Sequence, residues 1–261
     1  MAGLGLGLGL HKVGGIVPFD PSSIPNLKLW FDASDESTLT LVSGSVAGWT
    51  EKVNGFTLAQ GTASKRPESG HPVNGLNGVL FDGGDDFLSL SGLGAYFSSN
   101  TATTYMVIKF VADLASNGSM VTSTSATAGY VSYSGWAQSG TQAYTRIGAR
   151  VGSVSPHLVR GDQLMSSGGL YLIKGSTNGS EYFLTLNNTA QTLTVIIGSN
   201  NGKWEDEVSP TSLYLGWVGV TGGAYAQGIF CEHLTFDRVL STDEDTYITN
   251  GLATKWGVTL A

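Results

Sequence analysis

Cysteine is all but missing from these 261 residues. Cys231 stands alone, which excludes an intrachain disulfide and any zinc site built on several thiolates. Its setting, Gly228-Ile229-Phe230-Cys231, reads as strand, so the thiol is expected to be buried and inert. Charge is scarce too. Charged side chains make up 13% of the chain, its 13 Lys and Arg residues are scattered with no run longer than Lys65-Arg66, and the net charge is -7. Nucleic-acid binding needs a concentrated basic patch, so no nucleic-acid partner is expected. No run of about twenty apolar residues is present, and no membrane span is expected. The four histidines, His11, His71, His157 and His233, show no metal-binding spacing, and no Gly-x-Ser-x-Gly elbow occurs.

What the chain has in quantity is glycine, 37 residues of it, together with many Ser and Thr. That composition suits short strands and many turns. The first residues alternate strictly from Gly3 to Leu10, which in an extended chain puts Leu4, Leu6, Leu8 and Leu10 on one side and bare backbone on the other. Such a strip loses much backbone entropy on ordering and has nothing local to cover its leucines. It is therefore expected to be held by a partner, with Val13 and Ile16 extending the contact. Residues 1–25 read as an anchoring arm and residues 26–261 as one large β domain.

Leu27-Lys28-Leu29-Trp30-Phe31-Asp32 alternates as a strand should. Asn54-Gly55 marks a hairpin between strands near Trp49 and Leu58. Val79-Leu80-Phe81, Asp82-Gly83-Gly84-Asp85-Asp86 and Phe87-Leu88-Ser89-Leu90 read as strand, tight turn, strand. From Thr103 to Val111 both faces are apolar, which predicts a central strand between two layers. Further strands are expected near 129–133, 143–149, 170–174, 182–186, 193–197, 213–220 and 228–236. The pattern predicts a sandwich or barrel. One helix stands out: Ser241 and Glu244 form a capping box, Ile248, Leu252 and Trp256 make an apolar stripe, and Gly257 supplies the stop.

The ordered set Leu29-Trp30-Phe31-Asp32, Val46-Ala47-Gly48-Trp49, Lys65-Arg66-Pro67, Asn77-Gly78-Val79-Leu80-Phe81-Asp82-Gly83-Gly84-Asp85-Asp86, Phe236-Asp237-Arg238 and Lys255-Trp256-Gly257 resembles the concanavalin A-like lectin/glucanase superfamily. It is most similar to the laminin-G-like domains of tailed-phage virion proteins and bacterial surface proteins, over roughly Ile24 to Val258. The resemblance implies an all-β, two-sheet antiparallel jelly-roll sandwich whose concave face or loop rim binds glycans, sometimes with calcium. The Gly-Leu leader resembles those of phage head and tail surface proteins. Physically, Asp82, Asp85 and Asp86 either hydrogen-bond turn amides or supply part of a calcium site.

A retaining glycosidase needs two carboxylates about 5–5.5 Å apart, and relatives of that type carry Glu-x-Asp-x-(x)-Glu on one strand. Trp204-Glu205-Asp206-Glu207 is the nearest stretch; Glu205 and Glu207 share a face there, but the spacing is incomplete and the segment reads as a solvated acidic loop. The chain is therefore expected not to be an enzyme. Sugars stack on aromatic rings, and Tyr133, Trp136, Tyr144 and Trp204 are the candidate glycan-binding residues; Trp30, Trp49, Trp217 and Trp256 read as core. The leading expectation is a phage virion structural protein, a capsid decoration or head or tail fibre-type surface protein. It is anchored on capsid, portal-neck or tail subunits and oligomeric, with a trimer as the favoured state. The alternative is an adhesin or receptor-binding module for host surface glycan; a glycoside hydrolase ranks third.

Overall fold

The computed structural model describes residues 19–93, 96, 98–111, 118–126, 129–139, 142–151, 156–219 and 224–261. The arm residues Leu4, Leu6, Leu8, Leu10, Val13 and Ile16 lie outside them. The described chain is all-β with antiparallel pairing throughout and one long helix near its C-terminus. No helix among the described residues is long and apolar enough to cross a membrane.

The strands, in chain order, are β1 (Leu27–Asp32), β2 (Leu39–Val42), β3 (Ser45–Thr50), β4 (Thr57–Ala59), β5 (Glu68–Ser69), β6 (Val79–Asp82), β7 (Leu88–Ser91), β8 (Ala102–Lys109) and β9 (Gly118–Thr124). They continue with β10 (Tyr130–Ser139), β11 (Gln142–Arg150), β12 (His157–Met165), β13 (Leu170–Thr177), β14 (Tyr182–Leu186), β15 (Thr189–Ala190), β16 (Thr194–Ile197), β17 (Ser212–Leu215) and β18 (Gln227–Phe236). Two α-helices complete the set among the described residues, α1 (Glu205–Val208) and α2 (Thr242–Trp256).

Their ladders form two runs. In one, β18 pairs with β6 and β1 along one edge and with β8 along the other, and β8 leads on to β13, β14 and β15. In the other, the order is β4, β7, β17, β9, β10, β11, β12 and β16. Strands β3 and β5 join the runs at one side.

The doubly apolar pattern of β8 is explained by what lies on each side of it. Every residue from Ala102 to Ile108 is buried. The Tyr105 hydroxyl donates to Asp245 of α2 at 2.5 Å, so one face of β8 looks toward the helix. On the opposite face the Thr104 hydroxyl donates to the Tyr133 carbonyl of β10 at 2.9 Å. The second run therefore lies against the first, and α2 covers the first run's other side. A Cβ at Gly175 of β13 would meet the Ile147 side chain of β11 at 2.6 Å, which shows how closely the runs approach.

Helix α2 forms as its sequence dictates. The Ser241 hydroxyl accepts from the Glu244 amide, Glu244 reaches back to the Ser241 amide, and Gly257 ends the helix at φ +75. Ile248, Leu252 and Trp256 are buried beneath it. Among the described residues packing is already present at Phe19, whose ring contacts Tyr247 of α2 at 5.7 Å.

One expected hairpin is absent. Strands β6 and β7 do not pair with each other: β6 joins β18 and β5, whereas β7 joins β17 and β4. The Asp82–Phe87 segment is a corner that carries the chain from one run to the other. Gly83 takes φ +80 there, as a turn requires.

Candidate functional site

With its inner face against the first run, the second run turns its other face outward. The register makes a row across it: Tyr214 of β17 lies opposite Thr122 of β9, Thr122 opposite Ser132 of β10, Ser132 opposite Gly148 of β11, and Gly148 opposite Leu158 of β12. Directly opposed residues in antiparallel strands share a face. The segment after β17 folds over this row. Its Val218 packs with Tyr130 and Leu158 in a small apolar cluster separate from the main core.

Gly216 makes that fold-over possible. It holds φ +85, and a Cβ there would meet the Phe81 ring at 2.4 Å and the Asp86 carbonyl oxygen at 2.9 Å. The Ala226 amide donates to the Gly216 carbonyl at 2.7 Å and closes the base of the loop. Trp217 follows at once, held among aromatic neighbours. Its ring stacks on Tyr225 (centroids 5.9 Å, planes 16° apart), meets Tyr214 edge-on at 5.3 Å and lies 5.3 Å from Phe87. All four rings are half-buried, so each keeps solvent-facing area while its orientation is fixed by the others.

Beside this rim stand three carboxylates. Oxygens of Asp82, Asp85 and Asp86 lie within 4.8 Å of one another. Asp82 Oδ1 accepts the Gly84 amide at 2.7 Å, and Asp86 Oδ2 accepts the Asp82 amide at 3.0 Å. Burial, helped by the charges of Asp82 and Asp85, pushes the Asp86 carboxyl up to about 6. The turn-amide role expected of these residues is therefore present. The donor set is also of the hard-oxygen type that calcium takes, and the three residues fit the ion as part of a shell to be completed by further oxygens.

The four aromatic residues singled out from the sequence sit elsewhere. Tyr133, Trp136 and Trp204 are buried. Trp136 packs edge-on against Phe110 at 5.2 Å, and Trp204 against Tyr133 at 5.4 Å. Rings enclosed between the runs offer no face to a sugar, so these three are corrected to core residues. Tyr144 alone is half-exposed, on the outward face of β11, with the Arg160 guanidinium 4.0 Å from its ring centre.

The acidic stretch is likewise not a solvated loop: Glu205 is 3% exposed and opens α1. The Tyr133 hydroxyl donates to its carboxylate, while burial raises the carboxyl to about 7. Glu207 is exposed and pairs with Lys203. Conversely Trp217, read as core, belongs to the rim. The flanking glycines Gly216 and Gly219, with Gly222 and Gly223 beyond, were the signal that a loop begins there.

Cys231 is buried, and burial raises its thiol far above the usual range, as an inert cysteine requires.

No protein-family model matches the chain and no curated protein sequence matches it. Solved structures do. Domain 4 of an extracellular GH43 arabinanase from Geobacillus stearothermophilus, solved in complex with arabinotriose, is similar over 87% of this chain and 98% of that domain, at 14% identity and a TM-score of 0.55. A Trypanosoma rangeli sialidase bound to the inhibitor DANA is similar over 91% of this chain, at 12% identity and a TM-score of 0.55. The chain spans only 35% of that sialidase. Tailspike protein 2 of the Escherichia coli O157:H7 bacteriophage CAB120 is similar over 85% of this chain and 29% of its own, at 14% identity and a TM-score of 0.49.

These likenesses concern the fold. They also correct the expectation that the chain is not an enzyme, because the fold occurs in chains of an arabinanase and a sialidase.

Proposed function

We propose that the two ladder runs form a laminin-G-like, concanavalin A-type jelly roll that recognises glycan at the rim beside its outward face. The observation that carries this reading is the cluster of Phe87, Tyr214, Trp217 and Tyr225, fixed against one another and open to solvent next to three carboxylates. Aromatic faces take the C–H surfaces of sugar rings, and carboxylates accept from sugar hydroxyls. The arabinotriose complex of the similar arabinanase domain, nearly all of which this chain spans, supports an oligosaccharide as ligand class.

Titration of arabino-oligosaccharides and a glycan panel into the full chain, with and without calcium, tests the reading. Trp217→Ala is expected to weaken binding at least tenfold while the circular dichroism spectrum stays unchanged. A variant that binds as well as the parent would remove the rim from consideration. Assaying the same mixtures for new reducing ends distinguishes binding alone from hydrolysis.

The Gly3–Leu10 alternation favours a second element of function, attachment of the domain to a tailed-phage particle as a capsid or tail surface protein. Leucines anchored in partner grooves contribute roughly 1.5–3 kcal/mol each when fully buried, before ordering costs. Copy number multiplies the effect in an oligomer such as a trimer. Deletion of residues 2–17 is expected to abolish incorporation into particles, read by particle purification and immunoblot; incorporation at the parental level would count against anchoring.

A further inference from the structure

A cleft opens between the two runs where β12 leads into β13, four strands along the second run from β17 and so apart from the aromatic rim. Its volume is about 400 Å³, inside the range of roughly 300–1,000 Å³ typical of small-molecule pockets. No charged side chain lines it. Tyr171 and Leu186 of the first run give it an apolar part. Gln163 of the second run, Asn187 and Thr189 of the β14–β15 hairpin, and Thr259 of the tail after α2 bring polar groups.

Both amides are held by their oxygen ends. Asn187 takes φ +48 in the turn between β14 and β15. Its backbone amide donates to the Leu172 carbonyl at 2.8 Å, and its Oδ1 accepts the Leu172 amide at 2.9 Å. That bond fixes which end of the side chain is oxygen, and Nδ2 makes no hydrogen bond among the described residues. Gln191, 9% exposed, orders Gln163 in the same way. Its Oε1 accepts the Gln163 amide at 2.9 Å, and its Nε2 donates to Gln163 Oε1 at 2.8 Å. Gln163 Nε2 is left without a hydrogen bond among the described residues, as are the Thr189 and Thr259 hydroxyls. Tyr171 is fixed at both ends: its hydroxyl accepts the Ser166 amide at 2.9 Å, and its half-buried ring lies 5.9 Å from Phe110.

Two preset amide donors, two hydroxyls and one aromatic ring match a neutral, hydroxyl-rich ring. An ionic ligand would enter such a cleft without a counter-charge. We propose that the cleft is a second saccharide site, which takes a short neutral sugar with Tyr171 against its C–H face and Asn187 and Gln163 donating to its hydroxyls. The inference goes beyond the rim reading and does not depend on it, because the two sites share no residue.

The test follows the side-chain amide signals of Asn187 and Gln163 by NMR in the full, isotope-labelled chain, titrated with maltotriose, xylotriose and arabinotriose. At least one sugar is expected to shift both signals saturably, and to do so in Trp217→Ala as well. Asn187→Asp keeps the bond to the Leu172 amide and loses the donors; Thr189→Val keeps the shape and loses the hydroxyl. Each is expected to weaken binding, read from the Gln163 signal, about tenfold with the circular dichroism spectrum unchanged. No shift of these signals with any of the three sugars overturns the inference. So do shifts that vanish in Trp217→Ala, or undiminished affinity in both cleft variants. None of these results touches the rim reading, which falls only if Trp217→Ala leaves all saccharide binding intact.

Discussion

Glu232 is fully enclosed, yet each of its oxygens has a donor. Oε1 accepts from the Trp30 indole at 2.8 Å, and Oε2 from the Trp256 indole at 2.6 Å and the Lys255 ammonium at 2.7 Å. Lys255 also reaches Asp32 at 2.8 Å, directly opposite Glu232 on β1. Lys255 thus bridges two buried carboxylates, and Lys52 also reaches Asp32 at 3.5 Å; the Glu232 carboxyl is raised, with burial the larger cause, followed by the charge of Asp32. Removing one partner of a buried ion pair costs more than the pair contributes, because the remaining charge is stranded. Lys255→Met is expected to cost about 3 kcal/mol in urea unfolding at pH 8. The loss should be smaller at pH 5, where a carboxyl freed of the lysine takes up a proton. A penalty under about 1 kcal/mol at pH 8 would mean the pair is solvated in a way the geometry does not show.

At the scale of elements, what could be read from the sequence was what rests on apolar periodicity and local hydrogen bonding. Strand β8 was legible because both its faces are apolar, and α2 because its cap, stripe and stop are all local. Strands β9 and β12 were not. In β9 the segment Gly118–Thr124 is rich in Ser and Thr, which sequence pattern assigns to loops, yet Ser119, Thr122, Ser123 and Thr124 are buried between partner strands. In β12 the alternation breaks at Asp162-Gln163-Leu164, where residues past the packed centre become exposed. The corner between β6 and β7 looked like a hairpin because tight turns and corners use the same Asp and Gly residues; only long-range pairing tells them apart. The site suffered for the same reason. The burial of Trp136 and Trp204 follows from the rings packed against them, Phe110 and Tyr133, which lie far from them in sequence.

Across the whole molecule, buried titratable groups of opposite kind sit in different elements, and global unfolding samples them together. His233 of β18 is enclosed, with Nε2 against the Thr235 hydroxyl, and burial lowers its ring to about 3. The unfolded chain takes up that proton below about 6.5 and the folded chain does not, so stability is lost as pH falls through that range. Glu205 behaves oppositely. Burial raises it to about 7, so the folded chain keeps a proton that the unfolded chain releases above its ordinary 4.5, and stability is lost as pH rises from 4.5 through 7. Between pH 4.5 and 6.5 the two slopes oppose each other, each approaching about 1.4 kcal/mol per pH unit. Asp86, raised to about 6, adds to the Glu205 side, whereas Glu244, lowered to about 2 by its bond to Arg238, changes mainly below this window. Unfolding midpoints measured from pH 4.5 to 6.5 are therefore expected to tilt in opposite directions in two variants. Glu205→Gln keeps the Tyr133 contact but removes the ionisation, leaving a profile that rises more steeply with pH than the parent's. His233→Leu removes the opposing titration, leaving one that falls more steeply. Parallel profiles for parent and variants would show that water reaches these groups, and that the layers do not enclose them as tightly as the packing requires.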